Sequence, residues 1–208
     1  ISQFGDHFTP TLYLLSPLYV LTSAYEPILV IGNIFTIGSI IVLFLLAKRH
    51  ISNRLLIFAI LLAYSLFIGL QNTIIANLHT EIPALLTLSL CLLFMDRKKW
   101  FFYWVFLMLT LGCKQNFAAI GAGIGVFLFL QKERKIGVAT IIISLAYYLF
   151  ATKIAIPFLG NRPYSYAPNF HLGWSGVRSE TILTSLATFG FLPVLSPTFW
   201  PAILQDWG

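Results

Sequence analysis

The side chains that could bind or convert a substrate occur in short polar turns between long apolar runs. Asp6 and His7 lie near the start of the chain, His79 and Glu81 form a second pair, and residues 114–116 read Lys-Gln-Asn. A longer polar stretch near the end of the chain contains Asn161, Arg162, Tyr164, Tyr166, Asn169, His171 and Trp174. Lysine and arginine suit a phosphate group, as a point charge and as a forked donor respectively. These turns predict a polar site for an anionic group, provided that folding brings them together.

Metal binding is the second chemistry that these residue types allow. Carboxylates and imidazoles of the kind that hold metals occur at the first two turns, at Asp6, His7, His79 and Glu81. The sequence has no HExxH spacing, phosphate loop, GxSxG or CxxC motif. Cys91 and Cys113 lie in apolar runs and are interpreted as small structural side chains. We therefore predict no metal site, and whether a divalent cation serves as cofactor stays open.

The composition places these turns in a membrane protein. Of the 208 residues, 58% are hydrophobic and only 10% are charged, with a net charge of +6. Soluble domains carry about a quarter charged residues, so this chain has too few to cover a water-facing surface. Uncharged runs at 27–47, 55–80 and 181–205 reach the roughly 20 residues that a transmembrane helix needs. These features exclude a soluble enzyme, a disordered tail and a nucleic-acid-binding domain. The start at Ile1 predicts an interior piece of a longer chain.

The basic residues predict how the chain crosses the membrane. Nine of the thirteen lie in three clusters, within residues 48–54, 97–99 and 132–135. The segments between clusters each have room for two crossings, so all three clusters reach one side, which the positive-inside rule makes the cytoplasm. The expectation is a multi-pass integral protein of a prokaryotic inner or thylakoid-like membrane, with cytoplasmic basic loops.

The predicted fold is all-α and polytopic, a single membrane domain over residues 1–208 with about seven membrane segments. The predicted segments are 27–47, 55–75, 82–95, 100–113, 117–130, 137–157 and 181–204. Residues 1–26 are expected to form an outer loop with an interfacial or re-entrant helix over 12–21, and residues 158–180 a second outer loop. Three central helices are short, so their outer turns are expected to lie below the membrane surface and to line a protein cavity. Gly121 and Gly125 predict close packing of two helices.

This topology gathers the polar turns on the outer face, where they predict a polar cavity. Ionisable groups at membrane depth are expensive and point to function. Structural interpretations stay open beside this one. His79 and Glu81 could cap the helix that begins near residue 82, and Lys114 could form a pair without chemistry with Glu81 or Asp6. Asp6 and His7 could also lie in a solvated loop.

Several motifs, in order along nearly the whole chain, carry a resemblance to a known family. They are Gly5-Asp6-His7-Phe8-Thr9-Pro10, Asn77-Leu78-His79-Thr80-Glu81 with Pro83, Lys114-Gln115-Asn116, Ala155-Ile156-Pro157-Phe158, and Phe191-Leu192-Pro193 with Leu195-Ser196-Pro197. The chain resembles an uncharacterised family of predicted membrane proteins of bacteria and archaea, grouped with the GT-C glycosyltransferases. Those enzymes use polyprenyl-phosphate-linked sugars on the outer face of the membrane. The chain departs from the family at the third turn, where Lys-Gln-Asn replaces the usual Lys-Glu-Asp, and at the second, where His-Thr-Glu replaces His-Pro-Glu.

The resemblance implies a GT-C-like fold and a role for each polar turn. Asp6 would be the catalytic base, with His7 beside it, and His79 and Glu81 would position the acceptor or a metal. Lys114 and Arg162 would face the phosphate of the donor. The residues expected to contact sugar are Gln115, Asn116, Tyr164, Tyr166 and Trp174. The expected partners are membrane lipids and the lipid-linked donor, with no nucleic acid.

A second hypothesis from a different class is a non-catalytic integral membrane subunit of a larger membrane complex. Amides at Gln115 and Asn116 can hydrogen-bond a sugar but cannot act as a base. They suit a structural subunit equally well.

Overall fold

The computed structural model describes residues 7–14, 26–67, 70 and 81–160, and within these the chain is helical with no strand. The helices are α1 (Pro10–Tyr13), α2 (Glu26–His50), α3 (Arg54–Ser65), α4 (Ile82–Asp96), α5 (Trp100–Leu111), α6 (Phe117–Leu130) and α7 (Arg134–Phe150). A π-helical stretch, Ala151–Ala155, continues α7 without a break into α8 (Ile156–Gly160). The predicted all-α class is confirmed for this part of the chain.

Two helices among the described residues are long and apolar enough to cross a membrane. They are Val30–His50, with a mean hydropathy of 2.4, and the continuous helix Arg134–Gly160, with a mean hydropathy of 1.8. Of the residues in the most apolar stretch of each helix, only 22% and 28% respectively are buried inside the protein. A core helix of a soluble protein would be mostly buried. Helices with so many exposed apolar side chains suit contact with lipid.

The other described helices are shorter than a full span. Helices α3 and α5 have 12 residues each, α4 has 15 and α6 has 14. Helices α4, α5 and α6 agree with the three predicted short central segments, and the predicted bounds 117–130 for α6 are confirmed, whereas α3 was predicted as a longer segment over 55–75. The prediction of about seven crossings is therefore reproduced only in coarser form, as an all-helical chain with two candidate spans.

Several predicted boundaries are wrong by a few residues. Helix α2 continues beyond residue 47 to His50, because the basic side chains of its last turn complement the negative end of the helix dipole. Helix α5 ends at Leu111 rather than at residue 113, and a turn follows. Helix α7 begins at Arg134 and its continuation reaches Gly160, so residues 158–160 are helical and not part of an outer loop.

Other predicted segments fall partly or wholly outside the described residues. The interfacial helix expected over 12–21 is described only as far as residue 14, with helix over Pro10–Tyr13. Segment 55–75 is helical over Arg54–Ser65. The loop from residue 161 and the last segment, 181–204, lie beyond the described part.

Helices α6 and α7 pack through glycine, as the sequence predicts. A Cβ atom added at Gly125 would lie 2.6 Å from Cγ1 of Ile141 and 2.8 Å from the carbonyl oxygen of Gly137. A Cβ atom at Gly121 would collide with Oγ of Ser144, whereas one at Gly123 would meet nothing within 4 Å. The two backbones thus approach closely along one face of α6, which small residues allow.

The buried core lies where α4, α5 and α6 meet. Its members are Cys91, Tyr103, Leu107, Leu111, Ala118, Ile124 and Leu128. Both cysteines are free and 0% exposed, so the interpretation of Cys91 and Cys113 as structural side chains is confirmed. One polar pair inside this core is satisfied internally: Tyr103 Oη and Thr140 Oγ1 hydrogen-bond at 2.8 Å.

Two tight turns at one end of the molecule share one capping motif. Lys98 (φ 52°) and Lys132 (φ 69°) adopt the left-handed conformation after α4 and α6. Next to them, the backbone N–H of Lys99 donates to Phe94 and that of Glu133 donates to Leu128, the pattern of a Schellman cap. These caps reverse the chain within a few residues and place residues 97–99 and 132–135 side by side.

Candidate functional site

The basic clusters meet at one end of the described helices. Arg49 Nε donates to Oδ2 of Asp96 at 2.5 Å, and His50 Nε2 lies 2.7 Å from Oδ1 of the same carboxylate. Lys98 Nζ donates to Oε1 of Glu133 at 2.6 Å. Because helices α2, α4 and α6 all end here, the basic clusters lie at one end of the described helices, whereas their location on one side of the membrane stays a prediction.

Asp96 and His50 are residues that sequence reasoning missed. Partial desolvation raises the pKa of Asp96, but hydrogen bonds from Arg49 and His50 and their charges outweigh it, so the pKa lies below its usual value. The available signal was a lone carboxylate between the apolar run of α4 and the basic residues 97–99.

At the opposite end, Glu81 and Lys114 form an ion pair. Lys114 Nζ donates to Oε1 of Glu81 at 2.5 Å, and the two side chains are 18% and 37% exposed respectively. Glu81 occupies the N-cap position of α4, but its side chain makes no capping hydrogen bond. Of the interpretations left open for these residues, the direct pair is confirmed and side-chain capping by Glu81 is not observed.

Next to this pair, Gln115 contacts His7, the residue at which the described part of the chain begins. Gln115 is 0% exposed, and its Nε2 lies 3.1 Å from Nδ1 of His7. An amide nitrogen donates only, so in this orientation the proton of a neutral His7 imidazole lies on Nε2.

Residues 7–14 are held against the end of α5 by a second set of contacts. The backbone N–H of Thr11 donates to the carbonyl of Gly112 at 3.0 Å, and Thr11 Oγ1 donates to the carbonyl of Leu109 at 2.7 Å. A side chain at residue 112 would collide with Oγ1 of Thr11, so only glycine permits this approach. Phe8 packs its ring against Tyr147 and Phe150, at centroid distances of 6.1 and 5.8 Å.

Tyr147 and Ser144 add two polar groups that sequence reasoning did not select. Their hydroxyl oxygens are buried and have no hydrogen-bond partner within the described part of the chain. Buried hydroxyls are nearly always hydrogen-bonded, so each has capacity for a water or a ligand atom. Their spacing of three residues on an apolar helix was the only available signal.

The structure thus brings together four of the predicted site residues. His7, Glu81, Lys114 and Gln115 come from three distant parts of the sequence and lie at the end opposite the basic clusters. Asn116, which follows them, is exposed at the start of α6 and makes no side-chain capping bond. The remaining predicted site residues lie outside the described ranges: Asp6, His79, Arg162, Tyr164, Tyr166 and Trp174.

Within the described residues, no group of three or more histidine, cysteine, aspartate and glutamate side chains comes together. The arrangement at this end instead contains one imidazole bonded to a buried amide, one lysine paired with a carboxylate, and buried hydroxyl groups. Chemically, such groups can hydrogen-bond a hydroxyl-rich ligand, whereas an anion could bind Lys114 only by sharing the ammonium with Glu81 or displacing that carboxylate.

Comparison with known proteins identifies the chain as a member of a family of predicted membrane proteins, DUF2079, whose model matches residues 1–204. The family is one of unknown function. Neither the curated proteins nor the solved structures contain a significant match to the chain. The family description agrees with the apolar composition and with the two helices of spanning length.

Proposed function

We propose that the protein is a GT-C-like membrane glycosyltransferase that transfers a sugar from a polyprenyl-phosphate-linked donor on the extracytoplasmic face. One observation carries the proposal: His7, Glu81, Lys114 and Gln115 converge at the end of the helices opposite the basic clusters. The family resemblance in the same turns supplies the substrate class.

In this proposal, the hydroxyl of the acceptor attacks the anomeric carbon of the sugar. The bond between that carbon and the phosphate oxygen breaks, the lipid phosphate leaves with the electron pair, and the hydroxyl proton passes to Asp6 as general base. His7, adjacent in sequence to Asp6, would help to position the acceptor.

Lys114 balances the charge of the leaving phosphate. Its ammonium is already paired with Glu81, so the phosphate must share it or displace the carboxylate. Glu81 is 37% exposed, so water can hydrate it once the pair opens. Gln115 is fully buried and is therefore a positioning residue, which acts through its hydrogen bond to His7.

The test is sugar transfer from polyprenyl-phosphate donors in membranes that carry the wild-type full chain or the Asp6→Asn variant. Loss of a general base typically lowers the rate by about 10²–10⁴. Asp96→Asn is the matched control, since it makes the same chemical change at the opposite end, and we expect it to retain transfer. Equal transfer by wild type and Asp6→Asn would remove Asp6 from the mechanism.

A non-catalytic membrane subunit is the second candidate, and the burial of Gln115 favours it. The Gln115 amide is 0% exposed and hydrogen-bonds to His7, which suits a structural role in packing as well as a role in a binding site. The variant Gln115→Glu/Asn116→Asp restores the Lys-Glu-Asp sequence that is usual in the family. If residues 114–116 bind a cation, this variant should preserve or raise sugar transfer. Absence of transfer by the wild-type full-length protein with every donor tried would favour the subunit.

The proposed orientation has its own test, by labelling single cysteines placed at Asn53, Arg97 and Asn169. We expect Asn53 and Arg97 to react from the cytoplasmic side and Asn169 from the other. Labelling of Arg97 and Asn169 from one side would contradict the topology and, with it, an extracytoplasmic site.

A further inference from the structure

The end of the molecule opposite the candidate site contains a cavity that the proposed function does not use. It has a volume of about 570 Å³ and lies between the end of α2 and the start of α3. Lys48, Ser52 and Arg54 supply its polar lining, whereas Phe44, Phe58 and Leu61 are among its apolar residues. We propose that this cavity binds the phosphate headgroup of an anionic membrane phospholipid, with the start of an acyl chain along its apolar wall.

Charge is the first argument for this occupant. The cavity lining contains two cationic side chains and no carboxylate. Neither Lys48 nor Arg54 forms an ion pair with any residue in the described ranges, whereas the neighbouring Arg49 is paired with Asp96. A lysine and an arginine on one cavity can hold a phosphate as point-charge and forked donors, with the Ser52 hydroxyl as a further donor.

The position of the cavity is the second argument. Lys48 lies in the last turn of the apolar helix Val30–His50, and Arg54 is the first residue of the next apolar helix. In a membrane-spanning arrangement, this is the height at which headgroup meets hydrocarbon. A ligand that is anionic at one end and apolar along its length fits a lining with the same division.

The exposed apolar side chains of α3 favour lipid in the same place. Phe58 is 62% exposed, and Leu55 and Leu56 are 75% and 49% exposed. Of the α3 residues, only Ile57 is buried. Acyl chains would cover these side chains along the same helix that begins with Arg54.

Side chains, and not the start of α3, provide the binding groups. The Asn53 side chain already accepts hydrogen bonds from the backbone N–H groups of Leu55 and Leu56, at 2.9 and 3.3 Å. A phosphate therefore has to be held by Lys48 and Arg54, and removal of their charges should abolish the selectivity.

The experiment measures retention of phosphatidylglycerol and phosphatidylcholine by the purified full chain in detergent, using native mass spectrometry. Wild type should retain phosphatidylglycerol in preference. The Lys48→Gln/Arg54→Gln variant should bind it at least tenfold more weakly, since a basic residue near an anionic lipid contributes about fivefold in affinity. Lys99→Gln/Lys135→Gln is the matched control, because both residues are exposed cations at the same end and neither lines the cavity.

Each remaining outcome decides the proposal. An affinity that changes less than twofold in the control supports it, whereas equal losses in both double variants would show only general charge attraction and overturn it. Displacement of the lipid by inorganic phosphate at moderate concentration would assign the site to free phosphate.

A second variant covers the case in which Lys48→Gln/Arg54→Gln fails to fold. Ser52→Glu places a carboxylate on the cavity and should abolish the preference for phosphatidylglycerol; unchanged binding by this variant would overturn the proposal. Cross-linking of two copies through Ser52→Cys would place protein in the cavity and refute it as well.

Discussion

Removal of either member of the Glu81–Lys114 ion pair should reveal how strongly the polar end of the molecule is held together. Glu81→Gln leaves an ammonium group with only 18% of its side chain exposed, whereas Lys114→Met leaves a carboxylate whose side chain is 37% exposed. The less exposed charge is the harder one to hydrate, so Glu81→Gln should destabilise the protein more than Lys114→Met.

The magnitude follows from geometry and exposure. Two unit charges about 4 Å apart attract by about 4 kcal/mol at an effective dielectric constant of about 20, before desolvation is subtracted. A fully buried pair loses about 3–5 kcal/mol when one partner is removed. Since both side chains keep partial access to water, we expect losses of about 2 kcal/mol for Glu81→Gln and about 1 kcal/mol for Lys114→Met, with a coupling of about 1 kcal/mol.

The measurement is a double-mutant cycle on the free energy of unfolding in detergent or bicelles. The Lys98–Glu133 pair at the opposite end is the matched control, with an N–O distance of 2.6 Å and side chains 69% and 31% exposed. Its coupling should stay below about 0.5 kcal/mol, as for solvent-exposed pairs. Equal couplings for the two pairs, or a larger loss for Lys114→Met than for Glu81→Gln, would refute the reasoning from exposure.

Three further predictions concern packing, pH and accessibility. Gly125→Ala should destabilise the helix pair by about 1–3 kcal/mol because its Cβ would meet backbone atoms at 2.8 and 2.9 Å, whereas Gly123→Ala, which faces open space, should be neutral or stabilising in the same unfolding assay. The lowered pKa of Asp96 stabilises the protein fully above the ordinary aspartate pKa of about 3.9, and this contribution should disappear as the pH falls through the lowered value. Asp96→Asn should flatten that acid limb of the pH–stability curve, and an unchanged limb would contradict the assignment. Cys91 and Cys113, both 0% exposed, should resist maleimide in the folded protein and react after unfolding; rapid labelling of the native state would show that the core opens.

The helices were predictable from the sequence because helix formation in an apolar environment is a local property. Each backbone N–H finds its acceptor four residues earlier, so a long apolar run without charges is sufficient to predict a helix. The bounds of α6 were predicted correctly, and the glycine spacing on that helix predicted its close packing. Errors occurred at helix ends, where His50 and Arg134 extend the helices into regions read as basic loops.

The candidate site was only partly predictable. Residue type and topology placed Glu81 and Lys114 on one face and allowed for a pair between them. They did not reveal that Gln115 is fully buried against His7, nor that Asp96 joins Arg49 and His50 at the other end.

The sequence by itself determined the all-helical membrane class, the approximate course of the described helices and the sorting of their charged residues to two ends. Only the tertiary structure decided which of those residues touch. A contact such as Glu81 with Lys114 joins positions 33 residues apart and depends on the relative placement of α4 and the turn before α6. That placement depends on packing at several helix interfaces at once, including the glycine contact between α6 and α7. No local sequence pattern predicts the combined effect of these interfaces.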